Sequence, residues 1–142
     1  MKRERVTLIT LGVQDLDRSR RFYADWGWQA HPASQPGLVL FQMTGAALAL
    51  FQRGELAHDQ GRPEAELGTG AMTLAQNCAD DAEADAVFAA ALAAGARAIK
   101  PPEKAVWGGY SGYFADPDGH VWEIACNPFW PLDAGGALTL PG

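Results

Sequence analysis

Apolar and polar positions along the chain switch between a strand-like and a helix-like period, and each switch marks an element. From Val6 to Val13 (VTLITLGV) nearly every residue is apolar or β-branched, the pattern of a strand covered on both faces. The run stops at Gln14-Asp15. Asp15 is a good helix cap, and Leu16, Ser19, Phe22, Tyr23 and Trp26 follow at helical spacing. Gly27 supplies the residue that accepts the left-handed conformation common just past a helix. After a loop of Pro, Ser and Gly at 32–37, the apolar runs Leu38–Met43 and Ala46–Phe51 flank Thr44-Gly45 and predict a hairpin.

The second half repeats that order. Gly70–Gln76 reads as a strand, with Asp80 or Asp81 as the next cap. Ala84, Val87, Phe88, Ala91 and Leu92 form the buried stripe of a second helix, which Gly95 ends. Ala98-Ile99 is a short strand stopped by Pro101-Pro102. Tyr110–Ala115 and His120–Ala125 are strands around the turn Asp116-Pro117-Asp118-Gly119. Duplication is the economical explanation. One helix covers only one face of each sheet, and two sheets curled toward one another would cover the rest. The expected fold is α+β: two tandem βαβββ modules forming a cup-shaped mixed sheet with helices on the outer face. Module one spans about 4–56, a linker about 57–68 within a charged, glycine-containing stretch (53–69), module two about 69–127 and a tail 128–142, all in a single domain.

Composition narrows the function. Of 142 residues, 48% are apolar and 20% charged, the balance of a globular protein, and no run is long enough to span a membrane. A net charge of −6 argues against nucleic acid; Arg18, Arg20 and Arg21 read as the solvated face of the first helix. The stretch Met1–Arg5 leads into a strand without a signal-peptide core, and Cys78 and Cys126 form neither a CxxC pair nor a disulfide framework. A cytoplasmic location with reduced thiols is expected. The two cysteines read as isolated, with no flanking base to make a nucleophile.

The segment Trp107–Glu123 (WGGYSGYFADPDGHVWE) and the entry Val13–Tyr23 (VQDLDRSRRFY) closely resemble the vicinal-oxygen-chelate superfamily, which includes glyoxalase I, extradiol dioxygenases, fosfomycin-modifying enzymes and bleomycin-binding resistance proteins. The resemblance implies a divalent metal held by four side chains, from the first and last strand of each module. Glu123 matches the final carboxylate ligand. The other three positions fall on Leu8, Ala49 and Ala71, which have no donor atom, and Thr7, Ile9, Leu48, Leu50 and Met72 beside them are no better. No metal and no other cofactor is therefore expected, a divalent metal being the alternative.

Strand alternation places Val121 and Glu123 toward the cavity, and Trp122 and Ile124 toward the helix. Glu123 is the sole catalytic candidate. With Trp107, Tyr110, Phe51, Thr10 and Thr73 it makes up the expected ligand-binding set, aromatic area with few polar tips. Tyr113 reads as filling the core or a dimer seam, His120 as a surface or turn-bonding residue, and His31 and His58 lack partners at metal spacing. The expected function is metal-independent binding of a small organic molecule, in drug sequestration or sensing. The alternative is a lyase-, dioxygenase- or isomerase-type enzyme, using unrecognised metal ligands or Glu123 as base. Phe129, Trp130 and Leu132 in the tail suggest a homodimer interface, family members being commonly homodimers, or a lid.

Overall fold

The computed structural model describes residues 3–142. The chain divides into two compact units, Met1–Gly68 and Thr69–Gly142.

The first unit runs β1 (Leu8–Val13), α1 (Leu16–Trp26), β2 (Leu38–Gln42), β3 (Ala47–Gln52) and α2 (Arg53–Gln60), followed by a single 3-10 turn at Glu64–Glu66. Its sheet has the order β1-β3-β2, with β1 parallel and β2 antiparallel to β3. Asp15 caps α1 by accepting from the Arg18 amide at 3.0 Å, and Gly27, at φ 110°, lets the Trp28 amide return to the Tyr23 carbonyl. Phe22, Tyr23 and Trp26 on α1 bury against Phe41, Leu48 and Leu50 of the sheet. The Tyr23 and Phe41 rings lie 5.7 Å apart.

The second unit runs β4 (Thr73–Asn77), α3 (Asp81–Ala93), β5 (Arg97–Lys104), β6 (Tyr110–Ala115) and β7 (Val121–Cys126), in the order β4-β7-β6-β5. Asp80 caps α3 by accepting from the Glu83 amide, while the Glu83 carboxylate accepts from the Ala79 amide. Phe88 on α3 meets Phe114 edge-on, and Phe114 stacks parallel to Trp122. In the Asp116–Gly119 turn one Asp116 oxygen accepts from the amides of both Asp118 and His120, which makes the turn rigid.

The architecture is the expected α+β one, realised as two open mixed sheets of three and four strands rather than one. Four details differ from the sequence reading. Among the described residues the first unit has three strands, not four: residues after α1 run beside β2, with the His31 amide donating to the Leu40 carbonyl, without forming a ladder. The stretch read as linker begins with a helix, because Leu56 and Arg53 pack against Gly12, where a side chain would intrude at 3.1 Å. β4 starts at Thr73, three residues later than expected, so Ala71 lies outside it. β5 continues through Pro101 and Pro102 to Lys104. It is an edge strand, so a missing amide is tolerated on its outer side, and two irregularities in its register absorb the prolines. Gly112 accommodates them: a Cβ there would come within 2.7 Å of the Pro102 nitrogen.

Candidate functional site

The helix-free face of the second sheet is set by its register. Because Trp122, Phe114 and Ile124 pack on the α3 side, Glu123 points the other way. It pairs with Ala75 on β4 and Tyr113 on β6, and Tyr113 pairs with Lys100 on β5. Residues directly opposite in a ladder share a face, so Ala75, Glu123, Tyr113 and Lys100 form one row across four strands. With strands about 4.8 Å apart, the Glu123 and Lys100 backbones stand about 10 Å from each other.

Within that row the Tyr113 hydroxyl donates to Glu123 Oε2 at 3.2 Å. Burial, then the Glu123 charge, push the Tyr113 phenol above its ordinary range, and Lys100 acts the opposite way. Oε1 of Glu123 makes no hydrogen bond among the described residues. Lys100 Nζ pairs with Glu103 at 3.1 Å, an exposed contact of the kind that contributes little to stability. The arrangement presents an open carboxylate oxygen, a half-buried phenol and an exposed ammonium in a line.

Only some of the sequence-predicted site residues join this row. Thr73 lies on the same face, one row away, opposite Val121. Tyr110 does not: it stands an odd number of residues from Tyr113, faces α3, and donates to Asp85 at 2.6 Å. That hydrogen bond is the main reason its phenol is held above the ordinary range. Trp107 occupies the β5–β6 hairpin tip, 45% exposed, with its ring lying over Gly109. Thr10 and Phe51 belong to the first unit, where both lie on the sheet face away from α1, Thr10 opposite Ala49 and Phe51 opposite Gly12 and Leu38. The sequence reading missed Tyr113 and Lys100. A signal for Tyr113 was present: Tyr113 and Glu123 lie equally far from Asp118, so a hairpin centred on that turn sets them opposite one another.

The register also corrects the metal positions. Thr10 pairs with Ala49 and Ala75 with Glu123, so the second-unit counterpart of Leu8 is two residues before Ala75. That residue is Thr73, not Ala71. A neutral hydroxyl, a leucine, an alanine and one carboxylate are not a donor set for a divalent cation. Among the described residues no group of three His, Cys, Asp or Glu side chains is placed to hold a metal ion.

A separate cleft of about 840 Å³ lies at the ends of β4 and β7, lined by residues 77–83 and by parts of the tail including Trp130, Pro131 and Leu132. None of Glu123, Tyr113 and Lys100 lines it. No helix among the described residues is long and apolar enough to cross a membrane.

The profile of the Glyoxalase/Bleomycin resistance protein/Dioxygenase superfamily matches residues 5–124. The chain belongs to this superfamily. A glyoxalase-related enzyme from Fulvimarina pelagi is 37% identical, with a TM-score of 0.90 over 98% of this chain and 99% of that one. A glyoxalase/bleomycin resistance protein/dioxygenase from Nocardioides is 26% identical, with a TM-score of 0.72 over 99% and 92%. A lactoylglutathione lyase from Agrobacterium tumefaciens shares the fold at 24% identity and a TM-score of 0.68, over 89% and 96%. No curated protein matches the sequence significantly.

Proposed function

We propose that this superfamily member binds a small organic molecule on the helix-free face of its second sheet without a metal, with Glu123 as anchor. The observation that carries the reading is the donor inventory: Glu123 is kept, while the other three superfamily ligand positions are Leu8, Ala49 and Thr73. A carboxylate with one oxygen held by Tyr113 and the other open suits a ligand bearing a cationic or hydroxyl group. The net charge of −6 favours the cation through long-range attraction. Drug sequestration or sensing in the cytoplasm is the role this supports, by a homodimer whose seam takes the exposed Phe129 and Trp130.

A second reading is catalytic and is favoured by the name of the 37% identical relative, an enzyme. In it Glu123 acts as a general base through its open oxygen, in an isomerase-type reaction.

The test is a thermal-shift screen with cationic and aromatic natural products, run on the wild type and Glu123→Gln together with metal analysis of tag-free protein. A cationic hit that stabilises the wild type, and loses at least about tenfold in affinity in the variant, supports the binding reading. One divalent metal bound per chain overturns it. Turnover of the hit, lost in Glu123→Gln with the fold intact, replaces it with the catalytic reading.

A further inference from the structure

Cys78 and Cys126 are far apart in sequence and read there as isolated, but the fold makes them neighbours. Asn77 and Ala125 are the last registered pair of the parallel β4–β7 ladder, and the Cys78 amide donates to the Ala125 carbonyl at 2.7 Å. One step further along that ladder the facing residues are Cys78 and Cys126. The corresponding step in the first unit, Val13 opposite Gln52, is a registered pair. Adjacent strands hold such residues about 4.8 Å apart at Cα, inside the span a disulfide bridges (about 4.4–6.8 Å). Both side chains fall on the α3 side of the sheet, and both cysteines line the 840 Å³ cleft. Cys78 is buried and Cys126 half-buried, so Cys126 is the thiol that a reagent in the cleft meets first.

We propose that Cys78 and Cys126 are a dithiol modification site that closes into an intrachain disulfide when a small disulfide, such as oxidised glutathione, enters this cleft. The Cys126 thiolate attacks one sulfur of the oxidant, forming a mixed disulfide and releasing one small thiol. Cys78 then loses its proton and attacks the Cys126 sulfur, releasing the second small thiol. The protein gives up two electrons and two protons, and the small disulfide takes them to become two thiols.

The surroundings define the behaviour of this site. Burial first, then the carboxylates at the start of α3, raise the Cys78 thiol to about 11. Cys126 is raised by burial and by its hydrogen bond to Asp81, with Lys104 opposing. Few thiolates are present at neutral pH, so closure is slow. Thiols of high pKa are also poor leaving groups, so the closed bond is slow to reopen. The site therefore behaves as a latch rather than a fast redox couple. Closure ties the β4–α3 junction to the base of the tail, the two walls of the cleft.

The experiment is incubation of the native chain with oxidised glutathione, followed by thiol counting, intact mass and peptide mapping. The expected result is loss of both thiols, a mass lower by two hydrogens, a Cys78–Cys126 linked peptide and a higher Tm that falls back on reduction. Cys126→Ser is expected to abolish closure and leave Cys78 unmodified. A stable glutathione adduct on Cys126 without ring closure, or a disulfide only between chains, overturns the proposal. Peptide mapping of the wild type decides it even if a serine variant folds poorly. The outcome is independent of whether Glu123 binds a ligand.

Discussion

The two repeats present matching layers to α1 and α3 and contrasting ones to the opposite face, where in the first unit α2 packs over Gly12. On the helix side Phe41 stands in the first unit where Phe114 stands in the second, opposite Leu48 and Trp122 respectively, and both phenylalanines are at most 2% exposed. On the other side, the row Thr10–Ala49–Leu40 of the first unit corresponds to Ala75–Glu123–Tyr113 of the second, which Lys100 extends. A buried apolar layer under a helix permits little variation, because lost volume or a stranded polar group costs several kcal/mol. On the opposite face small residues such as Ala49, Ala115 and Ala125 are buried too, but Tyr113 and Glu123 are half-buried and Lys100 exposed. Among the described residues the second repeat alone sets a carboxylate, a phenol and an ammonium in line there. Equal packing and unequal chemistry are the reason the proposed site is assigned to the second repeat.

The largest expected effect tests the equality. Phe41→Ala and Phe114→Ala should each cost about 3–5 kcal/mol, the usual range for emptying a buried phenylalanine site, as read by urea unfolding. Similar losses sharpen the comparison. If one variant loses most of its stability and the other loses under about 1 kcal/mol, the two helix-facing layers are not equivalent and the comparison breaks.

A second test uses a place where the helix-facing layers do differ: Val13 in the first unit has Cys78 as its counterpart. The Cys78 thiol is raised in the fold from 9.0 to about 11, mainly by burial. Below pH 9 both folded and unfolded chains keep the proton, so its stabilisation is fully present. Between pH 9 and 11 the unfolded chain releases the proton first, and stability falls by about 2 kcal/mol. Cys78→Val, which copies the first repeat, should remove that part of the alkaline loss. The measurement is unfolding free energy against pH for both proteins under reducing conditions. Tyr110 and Tyr113, also raised, cancel in the difference. Identical slopes would mean that Cys78 titrates normally and the two positions are energetically alike.

Much of this was legible in the chain. Period, caps and the Asp116–Gly119 turn mark α1, α3 and the β6–β7 hairpin, because these depend on local chemistry: Asp15, Gly27, Asp80 and Asp116 each act within a few residues. The residue opposite a hairpin partner was also within reach, as Tyr113 shows. What the sequence concealed depends on long-range placement. Two prolines stop a central strand but not the outer side of an edge strand, and β5 is an edge only because β6 and β7 order themselves beside it. The helix α2 has few apolar residues and is held by Leu56 and Arg53 against Gly12. Cys78 and Cys126 become neighbours only through the parallel β4–β7 register.

The smallest effect concerns Ser19, where the first repeat again departs from the second. Counted from the caps Asp15 and Asp80, Ser19 corresponds to Ala84, and both are fully buried on the face that meets the sheet. The Ser19 hydroxyl has no hydrogen-bond partner among the described residues. A buried hydroxyl without a bond costs about 1–3 kcal/mol of desolvation. Serine is also a slightly poorer helix former than alanine, by about 0.5 kcal/mol. Against these stands the space left by one oxygen, on the order of 0.3 kcal/mol for so small a void. The balance favours alanine, so Ser19→Ala should stabilise the protein by about 1 kcal/mol, seen as a higher urea midpoint at unchanged slope. A loss of stability instead would mean that the hydroxyl is bonded in solution, to the Asp15 carbonyl one turn back or to a buried water. The first repeat would then carry a polar fixture under its helix that the second has replaced with Ala84, and the helix-facing layers would be less alike than their rings suggest.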